Sequence, residues 1–160
     1  MTTVLDLFKA LAPRASLRRV ASPPSPPLAG IARVTLSVRD HDVSAHFYRS
    51  VLGFRPERHG DRDGPRQTVL RHPGGLVIEL VQHRDNFKGR FDSRRCGLGR
   101  LTLAVANPGV LEAWEDRFTR LDVEHTPVVH TAEGSTLVFH DPDGTELALF
   151  VPADPDTGED

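Results

Sequence analysis

From Val34 to Val38 the chain alternates, with Val34, Leu36 and Val38 apolar and Thr35 and Ser37 polar. Successive side chains of a strand point to opposite faces, so this pattern predicts a strand buried on one side. Apolar residues then fall at Val43, Phe47, Val51 and Leu52, which is helical spacing, with Asp40 or Asp42 as the N-cap and Gly53 as the terminating turn. Phe54–His59 and Gln67–His72 read as further strands, and Pro73-Gly74-Gly75 as a tight turn into a last strand ending at Leu80. The same order then returns. Leu101–Val105 alternates, and Val110, Leu111, Trp114, Phe118 and Leu121 form a helical stripe that starts at Pro108 and stops at Asp122. Thr126–Thr131, Ser135–His140 and a run through Leu149 read as strands.

The recurrence is in register. Arg71-His72-Pro73-Gly74-Gly75-Leu76-Val77-Ile78-Glu79-Leu80 aligns with His140-Asp141-Pro142-Asp143-Gly144-Thr145-Glu146-Leu147-Ala148-Leu149 at a constant offset of 69, and the opening strands align at an offset of 67. Proline presets one turn dihedral and glycine accepts a positive one, so both segments predict hairpins. The expected fold class is α+β, with two tandem βαβββ modules whose sheets curve around a cavity. The expected organisation is a tail over 1–29, a body over 30–151 and an acidic tail over 152–160. Within the body, module one covers 30–83, a linker 84–97 and module two 98–151.

Composition narrows the classes. The 160 residues are 38% hydrophobic and 26% charged, enough apolar material for a core. The net charge of −2 argues against a general nucleic-acid binder, and no apolar run reaches the roughly 18–20 residues that span a bilayer. A single cysteine, Cys96, excludes an internal disulfide and a four-cysteine zinc site. Proline is over-represented at 13 residues, partly in Ala21–Pro27, which reads as an extended tether. Before it, Val4–Leu11 has amphipathic helical spacing, interrupted for a signal peptide by Asp6 and Lys9. A cytoplasmic location is the expectation.

In this order, "VTLSVRD", "FYRSVLGF", "GGLVIEL", "GLGRLTLAV" and "FHDPDGTELALF" resemble the vicinal oxygen chelate superfamily, from Ile31 to about Val151. That group includes glyoxalase I, extradiol dioxygenases, fosfomycin-resistance transferases and bleomycin-resistance binding proteins. The resemblance implies paired modules around a cavity, usually in a homodimer. Metal-using members carry ligands at four matched positions, held in this chain by Arg33, Glu79, Arg100 and Ala148. Arginine offers only donors and alanine no ligand atom, so neither a metal nor another cofactor is expected.

If Arg33 faces the cavity, as its matched position does in the family, strand alternation sends Thr35, Glu79, Arg100, Thr102, Glu146 and Ala148 the same way. Two readings fit this set. Arg33 and Arg100 clamp a carboxylate ligand, or Glu79 neutralises the arginines in a structural cluster. The eight histidines form no dense metal spacing, and Tyr48 and Trp114 read as core. Cys96 reads either as a reactive thiol or as a partly buried small residue.

The functional expectation is a protein that binds a small anionic or aromatic metabolite without a resident metal. The competing expectation is an enzyme of the same superfamily, a lyase, isomerase or dioxygenase-like catalyst. It would either use Glu79 as a metal-free base, with Arg33 or Arg100 stabilising an oxyanion, or hold a metal on other ligands. A third is a regulatory partner acting through Val4–Leu11. Neither nucleic acid nor a membrane is an expected partner.

Overall fold

A computed structural model describes residues 26–60, 64–86 and 89–154. The helix expected over Val4–Leu11, most of the expected proline tether and the end of the acidic tail lie outside the described residues. From Ile31 onward the chain forms one compact unit.

In module one, β1 (Val34–Ser37) leads to α1 (His41–Ser50) and then to β2 (Arg55–Gly60), β3 (Arg66–Arg71) and β4 (Val77–Gln82). Module two repeats this as β5 (Leu101–Ala104), α2 (Pro108–Arg120), β6 (Val129–Thr131), β7 (Gly134–His140) and β8 (Glu146–Pro152). Each module is one four-stranded mixed sheet, ordered β1-β4-β3-β2 and β5-β8-β7-β6. The first strand of each runs parallel to the last, and the remaining pairs are antiparallel. Helix α1 packs on β3 and β4, and α2 on β7 and β8. This is the expected α+β architecture. The strand expected over Thr126–Thr131 shortens to three residues, because Thr126 bonds to Val138 before the ladder forms.

The two hairpins are built alike, position for position. His72 N–H donates to Leu76 O at 2.8 Å and Gly75 N–H to His72 O at 2.9 Å. At the matched positions Asp141 N–H donates to Thr145 O at 3.1 Å and Gly144 N–H to Asp141 O at 2.9 Å. Gly75 and Gly144 adopt φ of 95° and 84°, the left-handed region that a side chain disfavours.

One core joins the modules. Leu36, Tyr48, Phe54 and Ile78 from module one meet Leu111, Phe118, Leu137 and Phe139 from module two. Burying each such side chain stabilises the fold by about 1.5–3 kcal/mol. Phe118 packs tilted against Phe139 with ring centroids 4.6 Å apart, and Tyr48 meets Phe54 edge-on at 5.9 Å.

The buried face of α1 differs from its apolar pattern. Asp40 is the N-cap, accepting from Asp42 N–H and Val43 N–H, but the buried residues are His41, Ser44 and Tyr48, while Val43 is 52% exposed. Apart from His41 Nδ1, which is buried without a hydrogen-bond partner, these polar groups are satisfied across the module boundary and by the sheet beneath. Tyr48 Oη donates to Asp141 Oδ2 at 3.0 Å, Ser44 Oγ to Asp143 Oδ2 at 3.3 Å, and His41 Nε2 meets Thr68 Oγ1 at 2.8 Å. Arg39 closes the joint, its Nε 2.8 Å from Asp143 Oδ1 and its backbone N–H 3.2 Å from both Asp143 oxygens. From the other side, Arg117 of α2 donates to Val51 O at 2.9 Å and Ser50 O at 2.7 Å, capping the carbonyl end of α1.

Candidate functional site

Alternation sorts the sheet faces as expected. Leu36 and Val38 are buried against the helices, whereas Thr35 and Ser37 are exposed, as are Thr102 and Ala104 on β5. On the sheet-one face, Thr35 lies opposite Glu79 in the parallel register. Thr35 Oγ1 donates to Glu79 Oε2 at 3.0 Å, and Arg33 Nη1 stands 3.3 Å from the same oxygen. Glu79 is thus held from two sides, with its side chain 17% exposed.

On the sheet-two face Arg100 pairs with Glu146 through its Nε. Each inner-face arginine therefore meets a glutamate of its own sheet. The cleft that Arg33 lines, of about 290 Å³, is built from module one alone and does not include Arg100. Ala148 is fully buried, with Val138 and Thr102 as its strand neighbours, and offers no surface to a ligand.

Two residues join Arg33 that the sequence reading did not single out. Arg58 and Arg71 line the same cleft, with Val69 and Val77 as its apolar floor. Arg71 pairs with Glu57 at 3.1 Å, while Arg58 has no carboxylate partner among the described residues. A β-bulge between Pro56 and Arg58 shifts the register of β2 against β3, so Arg58 stands opposite Val69. The alternation Gln67, Val69, Arg71 against buried Thr68 and Leu70 carried the signal for Arg71. The bulge hid Arg58.

The linker after β4 lines a separate cavity of about 460 Å³ beside Arg39 and Asp143. It is tied down by Asn86, whose Nδ2 donates to Val38 O at 2.8 Å, and by Phe91 N–H on Asp143 O at 3.2 Å. Cys96 borders this cavity and is exposed rather than partly buried. Several histidines hold local bonds: His83 meets Ser37 at 3.2 Å, His130 meets Ser135 at 2.7 Å, and His125 meets Val123 O at 2.7 Å. Among the described residues, no three His, Cys, Asp or Glu side chains cluster so as to hold a metal ion, and no helix is long and apolar enough to cross a membrane.

Two mixed βαβββ sheets, each covered by one helix and open on its other face, define a fold class of paired modules. The chain belongs to the glyoxalase/bleomycin resistance protein/dioxygenase superfamily, whose sequence pattern matches residues 30–149. A glyoxylase/bleomycin resistance protein/dioxygenase domain from Frankia sp. EAN1pec is 30% identical, covering 79% of this chain and 100% of its own, with a TM-score of 0.75. A genomically encoded fosfomycin resistance protein from Listeria monocytogenes shares the fold at 17% identity, covering 79% of this chain and 93% of its own, with a TM-score of 0.63. A lactoylglutathione lyase from Agrobacterium tumefaciens does so at 16% identity, 78% and 95% coverage and a TM-score of 0.61. No curated protein matches the sequence.

Proposed function

We propose that this chain binds a small anionic metabolite on the open face of sheet one, without a divalent metal at the family's four matched positions. The observation that carries the reading is the convergence of Arg33, Arg58 and Arg71 on one cleft, with Arg58 uncommitted among the described residues. Guanidinium groups match carboxylate and phosphate oxygens in pairs, so three around one cleft suit an anion with several oxygens. Val69 and Val77 supply the apolar contact for its carbon skeleton.

The donor set does not suit a cation at those four positions. Arg33 and Arg100 present positive charge, Ala148 has no ligand atom, and Glu79 is engaged by Thr35 and Arg33. A lone carboxylate paired with a guanidinium group is a poor divalent site, so no metal-assisted step is assigned. Glu79 orients Arg33 in this reading. The open faces of β1 and β5 also support a homodimer in which a second copy covers them.

Calorimetric titration with inorganic phosphate and with oxalate tests the proposal. Binding should weaken at least tenfold in Arg58→Ala and in Arg33→Ala, and stay unchanged in Arg100→Ala. Equal affinity across all three variants overturns the cleft. A stoichiometric divalent metal in protein purified without chelator overturns the metal-free reading. Turnover of a bound anion abolished by Glu79→Gln would favour an enzyme instead.

A further inference from the structure

The two hairpins share a backbone but not their side chains. In module two, Asp141 and Asp143 reach across to Tyr48, Ser44 and Arg39 and fill the joint with α1. The matched positions of module one are His72 and Gly74. Gly74 has no side chain, and His72 folds back on its own turn, its Nδ1 accepting from Gly74 N–H at 3.0 Å and its ring 5.2 Å from Phe54. Neither position fills the joint with β5 and α2, and a cavity of about 360 Å³ remains there. Buried Leu52, Phe54 and Leu149 form its floor, and Leu76 and Trp114 its walls.

One wall is polar in a directional way. Val105 N–H bonds to Phe150 O of β8, so the alternate residues Thr102 and Ala104 turn their backbone N–H and C=O groups to the free edge of β5. Both residues line the cavity. No carboxylate, guanidinium or ammonium group does, and burying a charge without a partner is costly.

The geometry points to a second binding site in this cavity, for an uncharged planar ring compound that carries a donor and an acceptor side by side. The ring lies against Trp114 and Leu76, and its polar edge pairs with the β5 backbone. The size falls within the usual range for small-molecule pockets of about 300–1,000 Å³. This site is independent of the arginine cleft, which lies on the open face of sheet one.

Trp114 is the sole tryptophan, so its emission reports on this cavity alone. Nicotinamide, a neutral ring with a carboxamide, is the probe. Titrated into the full chain, it should lower the emission along a saturating curve with the excited-state lifetime unchanged. Leu76→Ala, which removes one wall of the cavity, should weaken that apparent affinity at least tenfold while the chain stays folded. Linear quenching with a shortened lifetime overturns the site, as does equal saturation in Leu76→Ala. If Leu76→Ala does not fold, the amide resonances of Thr102 and Ala104 in the unaltered chain decide, and unmoved resonances at saturating probe overturn it. A blue shift of Trp114 that grows with protein concentration and blocks the probe would assign the cavity to a second copy, and so also overturn it.

Discussion

Tyr48 and Asp141, 93 positions apart, meet in the buried seam between the modules, the hydroxyl donating to the carboxylate at 3.0 Å. Burial and the neighbouring carboxylate push the Tyr48 hydroxyl far up, so it stays a donor throughout the working pH range. Burial also raises the Asp141 carboxyl above 3.8, against the pull of hydrogen bonds from Thr145 and Tyr48. A carboxyl raised in the folded state contributes stability that is fully present below its unfolded value and is lost as pH rises through its folded value. Tyr48→Phe removes a bond to the ionised form. Its penalty should therefore grow with pH, reaching about 1.5–3 kcal/mol at neutrality. Urea denaturation at pH 4 and pH 7 measures it, and an equal penalty at both would show that Asp141 does not titrate in this way. Asp141→Asn should flatten the pH dependence of the wild type.

The joint around Asp143 should act as a unit. Its carboxylate takes Arg39 Nε, Arg39 N–H and Ser44 Oγ with its side chain 10% exposed. Asp143→Ala should cost about 1–3 kcal/mol, since it strands the buried Ser44 hydroxyl and the part-buried Arg39 donors. Arg39→Ala should cost less, because that side chain is 40% exposed and the backbone contact survives. The double variant should fall short of the sum of the two, read from denaturation midpoints in a double-mutant cycle.

Gly134 starts β7 at φ 145°, and a Cβ there would sit 2.1 Å from Val151 O and 2.9 Å from Pro152 Cα. The obstruction is backbone, so it does not yield as a flexible side chain would. Gly134→Ala should break the outer end of the β7–β8 ladder and destabilise by about 3 kcal/mol or more, within the range of severe single substitutions. Faster amide exchange at Ser135 and Val151 would locate the damage. A melting temperature equal to wild type would contradict it.

Arg33→Ala and Arg100→Ala should each change stability by less than about 1 kcal/mol, because both side chains are roughly half-exposed. Thermal melts check this directly. With stability held, a loss of phosphate affinity in Arg33→Ala alone is a binding effect. A large drop in melting temperature would return Arg33 and Glu79 to a structural role.

The repeat was legible because proline and glycine punctuate it, and Pro73 and Pro142 fall at the same point of matched hairpins. The helix faces were less so. Tyr48 reads as core and is buried, but apolar spacing pointed to Val43 where the structure buries His41 and Ser44 instead. For Ser44 and Tyr48 the partners lie 99 and 93 residues away, so no local pattern shows that their polar atoms are satisfied. The candidate site was legible as a parity. Alternation placed Arg33, Thr35 and Glu79 on one face, and their bonds follow. It carried no information on which faces share a cleft, so whether Arg33 and Arg100 meet stayed open, and in the structure each sits with a glutamate of its own sheet. Arg58 depended on a bulge, an extra residue invisible to a period of two.

The unequal hairpins give the two halves different tolerance to change. A substitution in Asp141-Pro142-Asp143 strikes the bonds that fasten one half to the other, so it is felt throughout the body. A substitution at His72, Gly74 or Leu76 alters the lining of an open space and leaves those fastenings in place. One copy of the turn is thereby tied to the survival of the fold, while its twin is free to explore new chemistry at little structural risk.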